Sequence, residues 1–175
     1  MSNEHTDPQL EAHIDRLQAG GVVDMHFDLL MDLYEKRHRR RVLATDHLPQ
    51  LRAGGMGVLG AAIYLEDKYL PEMALRVALD QVARLYAEVA QTPEFAICKH
   101  GADIARARRE GKIALVITME GVEPLGTDLD LLRIFYELGV RSLGLTHVRR
   151  NLACDGGLRA PSGWPPGSAT PRGRW

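Results

Sequence analysis

The order of element types along the chain predicts an α/β fold of about four strand–helix units around a parallel sheet, either part of a (β/α)8 barrel or an open doubly wound sheet. Three observations predict it. Short apolar or β-branched runs alternate with stretches of helical periodicity. The later runs are apolar almost throughout, as expected of strands covered on both faces. Ionisable residues collect at the carboxyl ends of the runs, where parallel α/β folds build their sites.

"VVDMHF" (Val22 to Phe27) reads as the first strand. A polar stretch and the short helical piece "LPQLRAGG" lead to the second, "MGVLGAAIY" (Met56 to Tyr64). A long helix is expected from Pro71 to about Gln91, because proline suits a first turn and Ala74, Ala78, Val82, Leu85 and Val89 recur on one face. "ADIARARREGK" predicts a further helix from about Ala102, stopped by Gly111, feeding the strand "IALVITME" (Ile113 to Glu120). Thr127 or Asp128 can cap the helix "LDLLRIFYELG", with its stripe of Leu131, Phe135 and Leu138 and its stop at Gly139. "RSLGLTH" (Arg141 to His147) is the fourth strand. Residues 1–20 read as a helical or flexible lead-in, 21–154 as the folded unit and 155–175 as an irregular Gly/Pro-rich tail; a lost reading frame or a natural truncation would each produce such a tail.

The chain has 175 residues, 45% of them hydrophobic, and a net charge of -1, so no electrostatic argument favours nucleic acid or an anionic membrane as a partner. The basic run "EKRHRRR" (Glu35 to Arg41) has no aromatic residue interleaved and reads as a solvated helix face or loop. Cys98 and Cys154 lack metal-site or disulfide-framework spacing; Cys98 in "FAIC" reads as a buried small hydrophobe. With no apolar stretch of signal-peptide or membrane-span length, a cytoplasmic protein is expected.

The four strand ends carry the candidate chemistry. His26 and Asp28 alternate on one side of the first strand with Asp24 behind them, a partial site for a divalent metal; a core histidine paired with an acid is the alternative. Glu120 closes seven uncharged residues, and a carboxylate there needs a cation, hydrogen bonds or an arginine partner. His147 repeats the arrangement on the fourth strand, and Tyr64 and Glu66 end the second. Asp46, His47 and Glu66 read as solvated rim residues, while Arg149, Arg150 and Asn151 could orient a substrate carboxylate or carbonyl.

These motifs, "VDMHFDLL", "LPQLRAGGMGVLGAAIY", "ITMEG" and "LGLTHVRRN", resemble the membrane (renal) dipeptidases of the metal-dependent amidohydrolase superfamily, from about Gly21 to Asn151. The resemblance implies a (β/α)8 barrel with two zinc ions and hydrolysis of dipeptides by a metal-bridging hydroxide. By motif, His26 and Asp28 are similar to ligands of the first zinc and Glu120 to the carboxylate bridging both. His147 is similar to the histidine that polarises the substrate carbonyl, with Tyr64, Arg150 and Asn151 alongside as substrate-binding residues.

The family's two later histidines for the second zinc have no counterpart, since no histidine follows His147. A barrel typically takes about 250 residues, so roughly the N-terminal half is expected, with impaired activity. An open half-barrel exposes a strand edge, which makes a homodimer or an inactive self-associating module the alternative. A doubly wound binding domain would instead leave His26, Glu120 and His147 more than about 10 Å apart, far beyond metal–ligand reach.

Overall fold

The computed structural model describes residues 7–157. It is an α/β structure whose strands all run parallel. The element order is α1 (Pro8–Ala19), β1 (Val22–Phe27), α2 (Leu29–Glu35), α3 (Leu48–Ala53), β2 (Met56–Ile63), α4 (Ala74–Val89), β3 (Phe95–Ile97), α5 (Gly101–Arg109), β4 (Ile113–Met119), α6 (Asp130–Leu138) and β5 (Val140–Leu143).

Strand neighbours advance in one direction, β1 to β2 to β4 to β5, as in a segment of a (β/α)8 barrel. Along β4 the pairing is divided. β2 takes one edge over Ala114–Met119, and the other edge is shared end to end by β3, opposite Ile113–Leu115, and β5, opposite Ile117–Met119. The sheet therefore has five strands instead of the expected four. β3 is three residues long, too short for its alternation to register, and it lies in the "FAIC" run. Cys98 follows it, 2% exposed as expected, and burial pushes its thiol above the ordinary value.

The core collects where α2 and α4 pack on β2 and β4. Leu29, Leu30, Leu33, Leu59, Leu85, Leu115, Ile117 and Phe135 are all fully buried. α4 buries the expected stripe and, beside it, two polar groups. Gln81 donates to the carbonyl oxygen of Tyr64 (2.6 Å), and Glu88 accepts from the backbone of Leu43 (2.9 Å) while pairing with Arg84. These bonds offset part of the cost of burying the two side chains, of which Gln81 Oε1 and Glu88 Oε1 have no hydrogen-bond partner among the described residues, and fasten the end of β2 and the segment before α3 to the same helix.

Helix boundaries follow local chemistry. Asp7 caps α1 by accepting from the Gln9 amide, and Gly139 ends α6 with φ of 111°, a conformation other residues adopt at a cost. The N-cap of α6 is Leu129, which makes no side-chain cap, instead of the expected Thr127 or Asp128; the Asp128 carboxylate, one residue earlier, accepts from the amide of Asp130.

Further expectations change, beginning with the long helix, which starts at Ala74 instead of Pro71. The polar stretch after β1 begins with α2, whose apolar residues are buried, and only the following "KRHRRR" run is largely exposed. The fourth strand stops at Leu143 instead of reaching His147: the amide of Gly144 still bonds to Met119, but a Cβ at Gly144 would lie 2.8 Å from the Glu120 carbonyl oxygen, and the chain leaves the ladder there. The lead-in is helical from Pro8, and the tail from residue 158 onward lies outside the described residues.

Candidate metal centre

β1 is a strand in which plain alternation fails. Asp24 pairs with Leu59 and Phe27 with Ala61, so Met25 and His26 together oppose the single residue Gly60. Such a bulge bends a strand and re-aims a side chain. Gly60 makes it possible, because a Cβ there would lie 2.6 Å from the carbonyl carbon of Met25. Asp24, expected beside His26 and Asp28, folds back and accepts from the His26 amide at 3.0 Å. Asp28 has already left the strand and precedes α2, its carboxylate making no capping bond and free to face His26.

Three of the four strand ends meet. His26 Nε2 is 3.0 Å from one oxygen of Glu120 and 3.4 Å from Asp28 Oδ1. The other oxygen of Glu120 is 2.8 Å from His147 Nδ1. One donor atom each from His26, Asp28 and Glu120 lies within 4.8 Å of the others. The separation expected of a doubly wound binding domain is absent. Glu120, 13% exposed at its side chain, is held by its own amide donating to Ile63, and its carboxylate faces two imidazoles instead of an arginine. One imidazole nitrogen and two carboxylate oxygens around a common point are a donor set that fits zinc with coordination positions to spare. The two imidazoles and two carboxylates are close enough for ion pairing among themselves.

The cluster opens on one side into a cavity of about 590 Å³ whose walls come from the loops after β1, β2, β4 and β5. Tyr64 lines it, fixed by Gln81 through its carbonyl oxygen. Two charged residues of this cavity were not singled out in advance, Asp67 and Glu123, whereas Arg149, expected with Arg150 and Asn151 to orient a substrate, does line it. Arg149 donates to Asp67 Oδ1 (2.6 Å) and to the Leu65 carbonyl (2.7 Å), and lies over the Tyr64 ring. Burial works against its charge, but the Asp67 and Glu123 carboxylates outweigh this and hold the guanidinium above its ordinary pKa. A smaller recess of about 360 Å³ lies on the other side of Glu120, also lined by His26 and His147.

Arg150 and Asn151, expected to bind substrate, are not among the lining residues. Arg150 pairs with Asp155 at 3.0 Å. Asn151 closes its own loop, accepting from Ala153 and Cys154 and donating to Leu145. The expected rim residues also differ from one another. Glu66 is solvated and paired with Lys68. Asp46 is chelated by Arg39, which holds its carboxyl well below the usual range. His47 is mostly buried instead of solvated: it ends a π-helical turn, Leu43–His47, bonds to Asp32 at 2.8 Å and sets its ring edge-on to Phe27, between His26 and Asp28.

Comparison with known proteins gives the same motifs a context. Residues 12–172 match the family described as membrane dipeptidase, peptidase family M19. Dipeptidase ataJ of Aspergillus terreus is 29% identical over 77% of the chain and 37% of its own length, and dipeptidase 3 of Rattus norvegicus is 31% identical over 81% and 30%. Among solved structures, dipeptidase AC, a family M19 metallopeptidase, superimposes with a TM-score of 0.68 at 30% identity, covering 75% of this chain and 44% of its own. A Rhodobacter sphaeroides metallopeptidase liganded with a phosphinate mimic of the dipeptide L-Ala-D-Ala gives the same score at 27% identity, covering 75% and 47%. The chain thus spans about a third of the curated relatives' lengths and somewhat under half of these solved chains.

Proposed function

Because the chain belongs to the membrane dipeptidase family, peptidase family M19, we propose that it carries the first metal-binding half of a zinc-dependent dipeptide-hydrolysing site. The observation that carries this is the convergence of His26, Asp28 and Glu120 within 4.8 Å at the mouth of a cavity of about 590 Å³. In this reading His26 and Asp28 would hold one zinc, with Glu120 as the third protein ligand of the centre. Bound zinc would supply an ionised water near neutral pH and polarise the scissile carbonyl.

The remaining steps belong to the protein's own side chains. Glu120 takes the Nδ1 side of His147, which leaves Nε2 of that ring, on a side chain 69% exposed, to donate to the carbonyl oxygen of a bound dipeptide as negative charge gathers there. The Tyr64 and Arg149 walls exclude water and orient the peptide. The two later histidines that the family resemblance implies are not among these 175 residues, and in this reading the 175 residues by themselves turn over slowly or not at all. The test is a zinc titration together with a dipeptide hydrolysis assay. Saturable binding of one zinc, abolished in His26→Ala, supports the reading, and no saturable binding refutes it. Robust turnover that Glu120→Gln removes would leave the chemistry standing but overturn the impairment.

A second reading, a self-associating half-barrel in a homodimer, is favoured by the exposure of Val23 and Met25 on β1 and of Leu143 and Leu145 at β5. Sedimentation that stays monomeric at high concentration would eliminate it. A cytoplasmic location remains part of the proposal, supported by two free cysteines; no described helix is long and apolar enough to cross a membrane.

A further inference from the structure

The cavity wall facing the metal cluster carries three charged groups, Asp67, Glu123 and Arg149, and they are unequally satisfied. Arg149 and Asp67 form a closed pair at 2.6 Å, and a second guanidinium nitrogen is taken by the Leu65 carbonyl. Glu123 is held more loosely: its side chain is 13% exposed, it makes no side-chain hydrogen bond among the described residues, and it pairs with Arg149 only through Nε at 3.7 Å, beyond hydrogen-bond length. That Arg149 nitrogen is itself buried without a hydrogen bond.

The position of Glu123 is set by Gly121. A Cβ at Gly121 would lie 3.0 Å from the Glu123 carboxyl carbon and closer still to one of its oxygens. The carboxylate is thus folded onto bare backbone one residue from Glu120, inside the cavity and turned away from bulk water. A mostly buried carboxylate without hydrogen bonds is costly, and a cation brought by a ligand removes that cost.

We propose that Glu123 is a specificity-determining residue, the counter-charge for an ammonium group of the substrate, so that the cavity selects dipeptides presenting a cation on this wall. This rests on the dipeptidase reading above. The ammonium can come from a lysine side chain or from the peptide's own α-amine, and the chemistry at Glu123 is the same for both. An anionic side chain is disfavoured, because Arg149, the arginine lining this wall among the described residues, is already paired with Asp67.

The experiment uses the zinc-supplemented 175-residue chain and its Glu123→Gln variant, which keeps shape and removes charge. Affinities for lysyl-alanine, norleucyl-alanine and N-acetyl-norleucyl-alanine are measured by calorimetry or by NMR titration. Separately, butylammonium is titrated while the amide signal of Gly121 is followed. If the side chain is the source, lysyl-alanine binds about tenfold or more tightly than norleucyl-alanine; if the α-amine is the source, acetylation costs a similar factor. In either case Glu123→Gln abolishes the difference, and butylammonium shifts Gly121 saturably only in the parent chain. Equal affinities for all three peptides, or a preference that survives Glu123→Gln, overturns the proposal. If no dipeptide binds but butylammonium still reports on Glu123, the dipeptidase reading falls and the cation subsite stands. If neither binds, the subsite is refuted.

Discussion

Gly60→Ala asks whether the bulge in β1 is what aims His26. In the ladder Met25 and His26 share the space opposite this one glycine. The added methyl carbon would lie 2.6 Å from the carbonyl carbon of Met25 and 3.1 Å from its Cα. All of these are backbone atoms, so no side-chain rotation relieves the overlap. Restoring ordinary contact requires β1 to retreat by roughly 1 Å, and overpacking of this kind costs about 1–3 kcal/mol. For a chain of this size each kcal/mol lowers the melting temperature by about 2–4 °C, which gives a fall of about 2–12 °C. The same retreat would open the 3.0 Å contact between His26 and Glu120. Because metal–ligand distances hold to within about 0.2 Å, zinc affinity should drop by tenfold or more. Thermal melts by circular dichroism and zinc calorimetry read the two effects. Gly101→Ala is the control: nothing lies within 4 Å of the added atom, and it should stabilise α5 by about 0.4–1 kcal/mol. A Gly60→Ala protein that melts within about a degree of the parent and binds zinc equally well would show that the glycine does not set the geometry of the site.

Glu120→Gln should lower zinc affinity by more than tenfold yet leave the metal-free melting temperature unchanged or higher, since it removes one of two converging carboxylates; a collapse of the fold would contradict this. Gly139→Ala forces a side chain into φ of 111° and against Lys99, and should cost about 1–2 kcal/mol; an unshifted denaturation midpoint would refute it. For Asp32, burial raises the carboxyl pKa, but Lys36 and His47 outweigh it and hold it below the ordinary value, so folding favours the charged form. That contribution is fully present above the unfolded pKa of about 4 and is lost as pH falls through the lower folded value. Melting temperatures between pH 5 and pH 3 should therefore fall less steeply in Asp32→Asn than in the parent, and parallel slopes would rule the linkage out.

The strands that hold the site were legible because burial on both faces leaves a strong signal. β1, β2 and β4 fall almost on the predicted limits, and Glu120 stands where an apolar run ends in a charge. α2 was legible in principle: Leu29, Leu30, Leu33 and Tyr34 follow helical spacing, but the basic run after them drew the segment toward solvent. β3 was not legible, since a three-residue strand has too few alternations to tell from a loop.

Site residues on strands and site residues on loops failed in different ways. Alternation put Asp24, His26 and Asp28 on one side, and the error at Asp24 was decided by Gly60, thirty-six positions later on another strand, because a bulge depends on the pair and not on the strand that bulges. Beyond β5 there is no period to follow. Among Arg149, Arg150 and Asn151, the residue facing the cavity is chosen by where Asp67 and the Leu65 carbonyl stand, and those belong to a different loop. The convergence of His26, Asp28 and Glu120, which the strand ends build, could thus be anticipated from the sequence. The wall that would choose among substrates is assembled by contacts between loops, and only the folded structure brings Glu123 and Arg149 into the same cavity.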